Sequence, residues 1–214
     1  MDRDSAVSRV KRNLAFKTGT SLDTDIIEAL QDAQVELEKG TTLPWFLESE
    51  VSSISTVDGE ERVKLPGDFI REWEDDPLWY YNGDADEAAD KWTPLAKDDL
   101  EELRRIYPGE GAPEAYQLDI KYFRIFPTPD DEYTLKMIYY KHDTVLTSNV
   151  ENLWLEHFPW LLIGKAGVTI AAALRDKDAV GVFAVLEQDN YTAMVNDTEA
   201  RRHASRRYIM GGPD

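Results

Sequence analysis

The chain of 214 residues carries 42 acidic against 24 basic side chains, a formal charge of −18, with 42% hydrophobic residues and no cysteine. That apolar content is enough for a packed core and excludes wholesale disorder; the missing thiols exclude disulfide scaffolds, thiolate metal sites and cysteine nucleophiles. The acidity excludes an ordinary DNA or RNA binder that clamps phosphates by counterion release.

The charge is unevenly spread. Residues 1–17 hold Arg3, Arg9, Lys11, Arg12 and Lys17 against Asp2 and Asp4, a local +3, and show no secretory signal pattern. Residues 198–214 are +2, which leaves −23 on the body between them. Basic ends on an acidic body suggest ends that dock on acidic surfaces and a body that repels polyanions.

In chain order, Val7, Val10 and Leu14 predict a short amphipathic helix ending near Gly19. Asp23, Thr24 and Asp25 offer N-cap oxygens to a second helix whose apolar face is Ile26, Leu30, Ala33 and Leu37, closed by Gly40. From Trp45 to Lys141 the period becomes two. Val51–Val57 and Arg62–Leu65 read as strands joined by an Asp58-Gly59 hairpin turn. On either side of the Pro127–Asp131 turn, Phe123 and Ile125 alternate with Arg124, and Tyr133, Leu135, Met137 and Tyr139 with Thr134, Lys136, Ile138 and Tyr140. One helix, Lys97–Ile106, interrupts the strands and stops before Pro108-Gly109.

Beyond Asn149 the helical period returns. Pro159 suits the first turn of a helix reaching Leu174, whose Gly164, Ala166 and Gly167 admit a close neighbour. That run, Phe158–Leu174, carries Lys165 and reads as a buried helix rather than a bilayer span. A last helix, Asp178–Arg207, sets Val182, Leu186 and Ala193 along one side. The fold class is therefore α+β: residues 1–44 and 150–207 form one helical bundle, 45–149 are a mainly antiparallel β insertion, and 208–214 are a flexible tip.

No constellation of residues carries obvious chemistry. His142, His157 and His203 lack metal-ligand spacing and read as structural or surface residues. Asp84-Ala85-Asp86-Glu87 approaches a calcium loop, but Leu95 stands where the closing glutamate should be, so a solvated loop is the better reading. Trp79-Tyr80-Tyr81 and Tyr139-Tyr140 could form a carbohydrate platform and more often fill a sheet core or a subunit interface. No nucleophile elbow, phosphate loop or distinct carboxylate pair stands out, so no catalytic residue, cofactor or metal is expected.

The order of several loose motifs is more telling. Leu65-Pro66-Gly67-Asp68-Phe69 is followed by Thr93-Pro94-Leu95, by Gly111–Tyr116, by Ile125-Phe126-Pro127-Thr128-Pro129-Asp130, and by Trp154-Leu155 before the alanine-rich helix. In this order the chain resembles the head-to-tail adaptor (connector) proteins of short-tailed bacteriophages. The resemblance implies a virion protein made in the bacterial host cytoplasm and seated at the neck of the portal vertex. It implies a homo-oligomeric ring, expected to be twelvefold, between the portal and the tail or nozzle proteins, through which DNA passes without specific binding. It also implies a C-terminal segment that reaches along the portal. The matching features here are Arg201, Arg202, Arg206 and Arg207, followed by Tyr208, Ile209 and Met210. An acidic DNA-mimic inhibitor and a carboxylate-dependent hydrolase are the alternatives.

Overall fold

The computed structural model describes residues 1–14, 20–83, 92–147 and 150–209, with 20–21 and 203–209 as backbone alone. The chain is α+β and divides into two compact units, Met1–Leu47 with His142–Asp214, and Glu48–Lys141.

The first unit is helical: α1 Arg3–Asn13, α2 Thr20–Glu38, α4 Leu153–His157, α5 Pro159–Ala173 and α6 Lys177–Ile209. Asp2 caps α1 by accepting from the Ser5 amide at 2.7 Å; the Ser5 hydroxyl first, and then this amide, hold its carboxyl below the usual range. In α2 the apolar face Ile26, Leu30, Ala33 and Leu37 is buried. The helix begins earlier than its sequence suggests, because Leu22 adds a buried position one turn before Ile26. Asp23 and Asp25 consequently lie inside its first turns, where acids suit the positive end of the helix dipole.

The α5–α6 pair supplies the largest helix contact, and its glycines explain how close the two come. A Cβ on Gly167 would stand 2.2 Å from Phe183 Cδ1, and one on Gly164 would stand 2.6 Å from the Glu187 backbone nitrogen. Lys165, between these glycines, pairs with Glu36 of α2 at 2.8 Å and with Glu187 of α6 at 3.5 Å. Burial alone would push its ammonium down; the two carboxylates outweigh this and raise it, while the same pair lowers Glu36.

The packed side of α6 is not the one the sequence pattern indicates. Ala179, Phe183, Met194 and Thr198 are buried and Leu186 is half-buried, whereas Val182 is 57% exposed and Ala193 is exposed. Seating the Phe183 ring over Gly167 turns the helix by about one residue, or roughly 100°.

The second unit holds nine strands among the described residues, and α3 Leu100–Ile106. One sheet has the order β1 (Glu48–Ser55), β9 (Thr134–Lys141), β4 (Leu78–Tyr81), β5 (Trp92–Pro94), with β3 (Phe69–Glu72) also on β9. The other has the order β2 (Arg62–Lys64), β8 (Tyr122–Phe126), β7 (Ala115–Leu118), β6 (Ala96–Lys97), antiparallel except for β6–β7. Val63, Leu65, Tyr116, Phe123 and Ile125 of the second sheet share a core with Leu78, Leu135, Met137 and Tyr139 of the first.

One expected pairing is corrected by this topology. The Asp58-Gly59 turn forms, with Gly59 at φ 74°, but β1 pairs with β9 and β2 with β8. The turn thus passes the chain between sheets, and the Pro127–Asp131 turn does the same between β8 and β9. Each sheet needs its apolar side closed by the other, and crossing turns achieve that in a short chain. Tyr139 and Tyr140 are buried, the sheet-core role rather than a platform. The calcium-like stretch Asp84–Asp90 lies outside the described residues. No helix of the described residues is long and apolar enough to cross a membrane.

Candidate functional site

The C-terminal half of α6 carries the residues singled out by the sequence. The helix has 33 residues against 15 in α5, and it takes in Tyr208 and Ile209, two residues beyond its expected end. Thr198 is buried, so the departing segment starts from a packed position.

One turn further on, Arg201 is held against the helical unit. Its guanidinium carbon lies 3.8 Å from the centre of the Trp45 ring, within cation–π distance. Its Nε donates to Asp197 Oδ2 at 3.1 Å, and Trp45 Nε1 donates to the same oxygen at 2.7 Å. Trp45 itself rests 4.9 Å from the His157 ring, which stacks on Phe46 at 5.0 Å; Phe46 in turn meets Trp154 edge-on at 5.1 Å. Arg202 follows, half-buried. Arg206, Arg207, Tyr208 and Ile209 stand on the last turns of the α6 backbone, and Met210 lies outside the described residues. Arg201, with its side chain 54% exposed, is therefore the root of the segment, and the Trp45 ring that it rests on is backed by the aromatic cluster.

A second polar centre lies where the chain returns to the helical unit. Glu38, at the end of α2, is 3% exposed. Its Oε1 accepts from Gln34 Nε2 at 2.9 Å and Trp154 Nε1 at 3.2 Å; its Oε2 lies 2.6 Å from His142 Nδ1. Asp143 accepts from the amides of Thr144 and Leu153 at 2.7 and 2.6 Å, yet burial, with the Glu38 charge adding to it, pushes its carboxyl above the usual range. Asn152 caps α4 through Leu155 N at 3.0 Å and donates to Gln34 Oε1 at 3.1 Å. These groups satisfy one another and fasten the segment after His142 to α2. They form a structural joint, with the exposed His142 ring at its edge.

Sequence reasoning passed over Trp45, Asp197, Gln34 and Glu38. Gln34 and Glu38 follow Leu30 at helical spacing on the buried side of α2, a visible signal of a buried polar pair. Asp197 and Arg201 are four residues apart, as helix ion pairs are; their link to Trp45 spans 152 residues and had no local signature. Among the described residues no three His, Asp or Glu side chains are grouped to hold a metal ion.

The family model described as "SU10 adaptor protein" matches residues 1–211. The chain belongs to that family. It is accordingly a phage head-to-tail adaptor, a structural component of the virion, and the family is not an enzyme family. A search of curated proteins finds no match.

Proposed function

We propose that this adaptor forms a ring, twelvefold as the resemblance implies, that joins the portal to the tail at the neck and leaves a passage for DNA. The observation that carries the reading is the match to the adaptor family over residues 1–211, supported by the build of α6. A basic helix end rooted at Trp45 is suited to reach a neighbouring protein. Arginine forks make paired hydrogen bonds to carboxylates and carbonyls, and Tyr208, Ile209 and Met210 supply apolar anchors of the kind that dominate interface energies. The body charge of −23 supports the conduit role, because like charge denies DNA the counterion release that would make it stick.

Truncation after Thr198 tests the docking role. The expected product is folded by circular dichroism, soluble, and no longer joins the portal in co-sedimentation. Undiminished portal binding would move docking from α6 to the body. Cyclic symmetry in particle averages of the portal-bound adaptor tests the ring, and its absence would remove that part of the reading.

A further inference from the structure

The four-stranded sheet of the second unit has oppositely charged ends. At one end, the β7–β8 turn exposes Ile120 by 90%, beside Tyr122 at 38%. The register Lys64↔Tyr122 and Arg62↔Arg124 puts these four side chains on one face, opposite the buried Val63–Phe123 pair; Arg62, Lys64 and Tyr122 are exposed there and Arg124 is largely covered. Lys121 adjoins them, since Leu65 N donates to Lys121 O at 3.2 Å. Arg124 is occupied by Glu61 and Asp119 at 2.7 and 3.1 Å, which leaves Arg62, Lys64 and Lys121 as the exposed positive rim. Arg62, Asp119, Ile120, Lys121 and Tyr122 line a shallow depression of about 250 Å³.

At the other end of β8 the sign reverses. Gly59 N donates to Pro129 O at 2.8 Å, and Thr56 bonds Tyr133 O and Asp131 O, both at 3.0 Å. These bonds bring the Val57–Glu60 turn against the Asp130–Glu132 turn. Asp58, Glu60, Asp130, Asp131 and Glu132 are all exposed there, around Val57 at 54% exposure. One end thus presents an isoleucine in a basic rim, and the other a valine in an acidic rim.

We propose that the Ile120 end of one copy docks on the Val57 end of a second copy of this chain, as a subunit contact of the ring. Two different, complementary surfaces on one subunit make a head-to-tail contact, the kind that closes into a ring when the rotation per subunit divides a full turn. A second copy fits better than a nucleic acid, because the exposed isoleucine calls for an apolar seat and the chain as a whole repels phosphates. The inference rests on the ring reading and names the surfaces that reading leaves open.

The cysteine-free chain permits a direct test. Full-length Ile120→Cys, Val57→Cys double variant, oxidised with copper phenanthroline, is expected to give a ladder of linked chains on a non-reducing gel, while either single variant stays monomeric. Lys64→Glu with Lys121→Glu is expected to raise the concentration for half-assembly by roughly tenfold or more. Adding an equal amount of Asp58→Lys, Glu60→Lys protein should restore assembly. Oligomers by sedimentation velocity without a cross-linked ladder would overturn this contact and leave the ring standing. Monomers both alone and with the portal would overturn the ring and the contact with it. If the lysine reversal left assembly intact and abolished binding of labelled single-stranded DNA, the surface would be a nucleic-acid site and the proposal wrong.

Discussion

Trp45 and Arg201 donate to a single carboxylate oxygen, Asp197 Oδ2, while the guanidinium lies 3.8 Å from the centre of the indole ring. The three groups form one unit, so their deletions should not add. Asp197→Ala is expected to cost about 1–2 kcal/mol, because it strips the indole N–H of its acceptor. Arg201→Ala is expected to cost under about 1 kcal/mol, and the double variant less than the sum. Urea unfolding of the four proteins measures each value.

The α5–α6 contact offers opposite outcomes at two glycines. Gly167→Ala places a methyl 2.2 Å from Phe183 Cδ1 and should cost about 1–3 kcal/mol. Phe183→Leu in the same chain should recover part of that loss. At Gly181, also helical, an added Cβ meets nothing within 4 Å. Gly181→Ala should therefore stabilise by up to about 1 kcal/mol, through helix propensity alone. Thermal denaturation separates the two.

At the joint after His142, Glu38→Ala leaves the buried Trp154 indole N–H without its acceptor and takes the shortest bond from the Gln34 amide, which keeps the Asp143 and Thr144 carbonyls. A loss of about 2–4 kcal/mol is expected. Asn152→Ala removes a helix cap and strands the Gln34 carbonyl, for about 2 kcal/mol. Both should speed hydrogen exchange at the Leu153 and Leu155 amides more than in α1, as measured by NMR or mass spectrometry.

The pH dependence has two signs in the carboxylate range. Asp143 is raised in the folded chain, so the folded state holds the proton more tightly than the unfolded one. Its contribution to stability grows as pH falls through the folded value toward the ordinary 3.8. Glu36 is lowered by Lys165, so its contribution is complete above 4.5 and is lost as pH falls through the folded value. The stability difference between wild type and Asp143→Asn should thus shift in favour of wild type on acidification, and that for Glu36→Gln against it. At the alkaline end, the bond to Asp130 and burial push the Tyr133 hydroxyl up to about 12, so its contribution is lost between 10 and 12. Tyr133→Phe should flatten that limb. Melting curves across pH read all three.

The sequence makes the helices legible because their faces repeat over three or more turns, as in Ile26, Leu30, Ala33 and Leu37. Strand partners were less legible: Asp58-Gly59 specifies a turn, and nothing local says that β1 and β2 then part to different sheets. The packed side of α6 was misjudged for a related reason. Val182 and Phe183 are both apolar, and only the bare backbone of Gly167 on another helix decides between them. In the candidate site, the arginines stood out against an acidic chain, while the tryptophan beneath Arg201 carries no charge and lies 152 residues before the Asp197 that the two share.

A rod seated at two points keeps its direction. Helix α6 is seated at Phe183 over Gly167 and again at Asp197 beneath Trp45, stations about 21 Å apart along its axis at 1.5 Å per residue. The overhang from Asp197 to Ile209 is about 18 Å, shorter than the seated span. A slack of about 1 Å between the stations therefore moves the far end by less than about 1 Å. The last turns are aimed rather than tethered, and a partner that meets them need not supply the ordering free energy a loose tail would demand.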